Sequence, residues 1–230
     1  MTESFDICTA LADAVQDRAR TWPFVADFAA YWQRPLSPDD GWSSAEVAAA
    51  EQRLGLCLPT ALREAYLLFG RRTDLTSNHD TLLTPEELYV ADGALVYRVE
   101  NQGCASWGIA LEDLAQDDPG TVIRVDLADK SQERWEAWES SLSTACVAMV
   151  MSEVVLSEDG FTDYLEMEDD GTELEELFQE LPGVGRDLRW FVGPEVLIRE
   201  IDGVFLHVRA RTEEALEHLR ETVPGDWLDE

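Results

Sequence analysis

Two β-branched, apolar runs near the end of the chain, residues 196–201 and 204–210, are separated by Asp202-Gly203. Both turn residues tolerate the left-handed backbone of a two-residue hairpin, so this stretch commits the chain to an antiparallel strand pair. Thr212 follows with a side-chain oxygen suited to capping a helix. Glu213 and Glu214 fall in the first turn of that helix, at the positive end of its dipole, and Pro224-Gly225 closes it. A hairpin that leads directly into a helix points to the α+β class.

The rest of the chain agrees. Ser43 and Glu46 form a capping box, Val47, Ala50 and Leu54 follow at helical spacing, and Gly55 ends the helix. Pro59 opens a second helix with Leu62, Ala65, Tyr66 and Phe69 on one face. Alternation over 94–99, with Asp92-Gly93 and Gln102-Gly103 as turns, predicts strands, as do 107–109 and 122–125. From Lys130 the stripe of Trp135, Trp138, Leu142, Ala145 and Met149 predicts one long helix. Asp159-Gly160 predicts a further hairpin, and Leu174, Leu177, Phe178 and Leu181 a short helix ending at Pro182. Residues 1–42 predict one or two short helices docked on the main body. The expected fold is a single α+β domain, 43–230, with a mixed, mainly antiparallel sheet flanked by helices and a helical N-terminal extension, 1–42.

Charge narrows the function. The 48 Asp and Glu outnumber 17 Lys and Arg, for a formal charge of −31, and Lys130 is the only lysine. With 45% apolar residues and eight Trp the chain still has the means to bury a core. A phosphate backbone is bound by cations that displace its counterions, so nucleic acid is not an expected partner, and neither is an anionic membrane surface. A protein with a basic surface is the partner this charge suits. Host-wide composition is the alternative source of the acidity. No basic n-region precedes residue 14, and no apolar run approaches the about 18 residues of a membrane span, so a cytoplasmic location is expected.

The motifs of catalysis are not met. His79, His207 and His218 have no partner at metal-ligand spacing, and no phosphate loop, Gly-x-Ser-x-Gly elbow or His-Glu-x-x-His occurs. The acidic run from Glu166 resembles a calcium loop, but Glu173 and Leu177 occupy its eighth and twelfth places. Cys8, Cys57, Cys104 and Cys146 are scattered among apolar or small neighbours and read as small hydrophobes. A non-enzymatic protein without cofactor or metal is expected.

The placement of acid is less uniform than its amount. Residues 135–185 hold fourteen acids and no Lys or Arg. Among them Glu158, Asp159, Asp163, Glu166, Glu168, Asp169, Asp170, Glu173 and Glu176 form either a solvated face or a docking surface for a basic partner.

Two blocks go beyond composition. Residues 47–69 with Gly70, VAAAEQRLGLCLPTALREAYLLFG, and residues 97–111, YRVENQGCASWGIAL, resemble the SUKH superfamily, which includes the fungal cell-wall-assembly regulator. The closing hairpin and helix over 196–222 resemble it too. The loop after Phe69 departs from the family's Asn-Gly-Gly. The resemblance implies a compact α+β fold without catalytic machinery. It also implies an immunity protein that occludes a cognate basic toxin of the nuclease or deaminase type. A regulatory or scaffold protein without a toxin is the alternative. Within the second block, Glu100, Asn101 and Gln102 either line a binding concavity or form the turn through side-chain bonds. Trp107 belongs to the core or to the surface.

Overall fold

The computed structural model describes residues 5–167, 174–186 and 188–228. Helices open the chain, and side chains start them. Asp6 accepts from the Thr9 N–H (3.2 Å) at the head of α1, Ile7–Ala14, and Asp17 from the Ala19 N–H (2.9 Å) at the head of α2, Arg18–Trp32. Instead of a short docked helix, α2 runs fifteen residues and buries Phe24, Val25, Phe28, Ala29 and Trp32 in the main core. The Ser43–Glu46 capping box starts α3, Ser44–Leu54, and Gly55 (φ 69°) ends it as expected. Pro59 precedes α4, Thr60–Phe69, and α5, Thr73–Thr76, adds one turn. Between α2 and α3 the chain crosses α4 closely. The Trp42 N–H donates to the Tyr66 carbonyl (2.8 Å), and a Cβ on Gly41 would lie 1.7 Å from the Leu67 carbonyl oxygen. Only glycine fits there.

Six strands make the first sheet: β1 (Thr81–Leu82), β2 (Tyr89–Ala91), β3 (Ala94–Val99), β4 (Ala105–Ala110), β5 (Val122–Val125) and β6 (Glu136–Ala137). Their order is β1-β3-β4-β5-β6, with β2 also on β3, and every pairing is antiparallel. The β2–β3 turn holds Asp92 and Gly93 at φ 47° and 85°, the left-handed pair a tight hairpin requires.

The single helix expected from Lys130 onward is not formed. Lys130–Gln132 is a 3-10 turn, β6 follows, and the helix α6, Leu142–Val155, starts only where Ser141 accepts from the Thr144 N–H (3.2 Å). Trp135 and Trp138 flank the edge strand instead. The Trp135 indole donates to the Ala91 carbonyl (3.3 Å), and Trp138 meets Trp107 edge-on at 6.3 Å. Their rings lie over the sheet rather than along a helix face: Trp138 meets Trp107, and Trp135 comes so close to Gly108 that a Cβ there would be 3.3 Å from its ring, both partners being on the interior strand β4. All fourteen residues of α6 are buried, so this helix has no polar face from which its limits could be read.

The second sheet holds β7 (Phe161–Glu166), then, after the one-turn helix α7 (Leu174–Leu177), β8 (Gln179–Glu180), β9 (Leu188–Gly193), β10 (Val196–Ile201) and β11 (Phe205–Ala210). Its order is β7-β11-β10-β9-β8, again antiparallel throughout. The hairpin expected at Asp202-Gly203 joins β10 to β11. Asp159-Gly160 makes no hairpin, because α6 precedes it and β7 takes its partner from β11. The short helix expected to run as far as Pro182 ends after one turn, since Gln179 and Glu180 pair with β9. Thr212 caps α8, Glu213–Thr222, through the Ala215 N–H (3.2 Å). Beyond it Trp227 bridges to Leu165, and the Leu228 N–H donates to the Tyr164 carbonyl (3.1 Å), so the chain end lies along β7.

One face of this sheet packs Leu165, Phe191, Ile198, Leu206 and Val208 against Leu216, Leu219 and Trp227. Its other face sends Trp190 and Leu197 into the main core with α2, α4, α6 and the first sheet. The expected single α+β domain is thus built on two sheets, with α6 central. No described helix is long and apolar enough to cross a membrane. Cys146 is buried, but Cys57 and Cys104 are exposed, against the expectation that all four thiols act as packing groups.

Candidate functional site: an ionic cluster where the two sheets meet

Glu153 ends up in the core because α6 is apolar and buried on every side. Its side chain is fully buried and accepts from the His79 N–H (2.7 Å), the Asp80 N–H (3.2 Å) and Arg98 Nη2 (2.7 Å). The Asn78 amide donates to the Glu153 carbonyl (2.7 Å) and the Asp74 carbonyl (2.9 Å). The loop that carries Asn78, His79 and Asp80 is therefore shaped by one helix residue. Arg98, on β3, also meets Asp80 Oδ2 (3.1 Å) and lies 4.6 Å over the Trp107 ring. A carboxylate buried this deeply is tolerated only with such pairing.

The cluster is not fully satisfied. Asp80 Oδ1, Arg98 Nε and Arg199 Nε are buried without a hydrogen-bond partner. Arg199, on β10, has no ion pair among the described residues. Burial pulls its pKa down to about 10, Arg98 pushes the same way, and Asp80 and Glu153 oppose. Beside it on β11, His207 packs 4.9 Å from the Tyr164 ring, which stacks on Phe205 at 5.8 Å.

His207 carries a pH prediction. Desolvation first, then repulsion from Arg199 and His79, pushes its pKa down to about 4. An unfolded histidine titrates near about 6.5. Between those values the unfolded chain binds a proton that the folded chain excludes, so stability falls as the pH drops through that window. NMR titration should place the His207 midpoint near 4, and His207→Gln should flatten the loss of stability. A midpoint above about 6 would contradict this.

The sequence-singled residues divide. Glu100 forms its turn, accepting from the N–H groups of Gln102 (2.8 Å) and Cys104 (2.9 Å). It also reaches the cluster, as does Asn101, whose amide lies 3.3 Å from His79 Nδ1. Gln102 is exposed at the tip and Trp107 is buried. His79, Asp80 and Glu100 are the described residues grouped closely enough to hold a metal ion.

The acids of 135–185 do not share one face. Glu158, Asp159, Glu166 and Glu176 are exposed. Asp163 is not on the surface: its side chain is fully buried and accepts from Arg220 Nε (2.7 Å), because α8 packs over it. Glu139 accepts from the Gly185 N–H (2.7 Å), and its pKa is raised by burial. Glu175 and Glu180 pair with Arg189. Glu168, Asp169, Asp170 and Glu173 lie outside the described residues.

Asp80, Arg98, Glu153 and Arg199 escape motif reasoning. For Arg98, Arg199 and Glu153 the one sequence signal is a charge inside an apolar run, as in VYRV, LIRE and VMSEVV, while Asp80 sits in the polar stretch TSNHDT and carries no such signal. Fold and cluster together define a two-sheet α+β protein with an ionic centre between the sheets. Comparison with family models, curated proteins and solved structures returns no match.

Proposed function

We propose that this chain is a non-enzymatic, cytoplasmic protein-binding module that neutralises a cognate basic toxin, of nuclease or deaminase type, by occlusion. One observation carries the reading. The arginines are largely held by the chain's own acids, as in Arg18–Glu64, Arg34–Asp40, Arg63–Glu51, Arg98–Glu153 and Arg220–Asp163. The surplus carboxylate therefore faces solvent without local cations. On α8, Arg220 turns inward to Asp163 while Glu213, Glu214, Glu217 and Glu221 are exposed. A field of one sign steers an oppositely charged protein and speeds its capture, which suits an inhibitor. The SUKH resemblance of 47–69 and 97–111 supports the same reading.

The test is co-expression with a toxin encoded beside this chain's gene, followed by binding at graded ionic strength. Growth should be rescued. Affinity should fall by at least about tenfold as salt rises from roughly 0.05 to 0.5 M, as screening shortens the reach of the carboxylates. Failure of rescue, or affinity indifferent to salt, would sink the proposal. A pull-down that returns an ordinary cellular complex instead would transfer the surface to a regulatory role.

A further inference from the structure

We propose that His79, Asp80 and Glu100 form a binding site for a divalent transition-metal ion that clips the 77–80 loop to the 100–104 turn. One ligand atom from each of the three lies within 4.8 Å of the others. Three such atoms at that spacing need only a small closure to share one ion at about 2.0–2.2 Å each.

The second observation is Asp80 itself. Its side chain is 13% exposed, and its Oδ2 is held by Arg98 at 3.1 Å. Its Oδ1 is buried without a hydrogen-bond partner and lies 4.0 Å from His79 Nε2. A buried, unpaired carboxylate oxygen is costly, and the imidazole nitrogen it faces is too far for a hydrogen bond. An ion between the two satisfies both.

The outer contacts fit as well. His79 Nδ1 lies 3.3 Å from the Asn101 amide nitrogen. That amide can be turned end for end, which brings its oxygen to accept from Nδ1–H and leaves the Nε2 lone pair toward Asp80. Ligating histidines are held this way. Glu100 is fixed by the backbone N–H groups of Gln102 and Cys104, so it comes to the ion already oriented. Of the nearby fixed charges, Asp80, Glu100 and Glu153 outweigh Arg98 and Arg199, which favours a cation. The imidazole ligand favours zinc, copper, iron or nickel over calcium and magnesium. Three protein ligands leave a coordination position open to water or to a partner's side chain.

The experiment is calorimetric titration of the full chain with Zn²⁺. It is done in a Cys57→Ser/Cys104→Ser background, because those two thiols are exposed and would bind zinc themselves. One saturable equivalent is expected, with Mg²⁺ giving none. His79→Ala should weaken binding by at least about 100-fold and Asn101→Leu by about tenfold. The His79 side chain is 46% exposed and its bond to Glu153 is made by the backbone, so His79→Ala keeps its fold. A visible Co²⁺ absorption band that disappears in His79→Ala is the second readout. Zinc binding unchanged in His79→Ala, Mg²⁺ binding as well as Zn²⁺, or no saturable equivalent would overturn the proposal.

Discussion

Glu153→Ala should lower the free energy of unfolding by about 3–5 kcal/mol, the usual loss when one partner of a buried ion pair is removed. The substitution leaves Arg98, whose side chain is only 9% exposed, with Asp80 as its remaining acid partner, and releases the N–H groups of His79 and Asp80. It therefore removes a charge partner and the anchor of a loop at once. Denaturant midpoints at unchanged slope are the measurement. The paired replacement Glu153→Leu with Arg98→Met should recover only part of the loss, because it removes the uncompensated Arg98 charge but leaves Asp80 and the N–H groups of His79 and Asp80 without these partners. A loss below about 1 kcal/mol for Glu153→Ala would mean that the cluster contributes no more than a surface pair.

Trp190→Ala should be comparably damaging, at about 3–5 kcal/mol. Trp190 is fully buried and projects from the second sheet into the main core. Its indole also donates to the Val184 carbonyl (2.7 Å), holding the segment that leads into β9. Trp190→Phe separates the two contributions. It keeps most of the apolar volume and leaves the Val184 carbonyl without its donor, for a loss of about 1–3 kcal/mol. If Phe and Ala lose equally, packing is not what Trp190 supplies.

What the sequence revealed was local. Ser43–Glu46, Gly55, Thr212 and Asp202-Gly203 act through bonds and backbone angles within a few residues, and each does in the structure what its chemistry dictates. Long-range pairing was not visible. Trp135 and Trp138 fit a helical stripe as well as the face of a sheet, and only the distant partners Ala91 and Trp107 decide between them. The same holds for the cluster. Arg98, Glu153 and Arg199 lie far apart in the chain, and nothing near any of them announces the others. Glu100 and Asn101 were found through the turn they occupy. Their meeting with His79 depends on Glu153, buried at the far end of a helix whose limits periodicity could not show.

The way the sheets end has a consequence for how copies of the chain behave at high concentration. The outermost strands β1, β6 and β8 are two residues long, β2 is three, and the one long outer strand, β7, has Trp227 and Leu228 along it. Among the described residues, then, no extended row of unpaired backbone groups is offered as a template for a neighbour's strand. The described edges thus offer little template for polymerisation through shared sheets, and mutual repulsion of highly anionic copies discourages it again. On the proposed binding role, a partner meeting these described edges would engage side chains rather than main chain, so its selectivity would be open to tuning one substitution at a time.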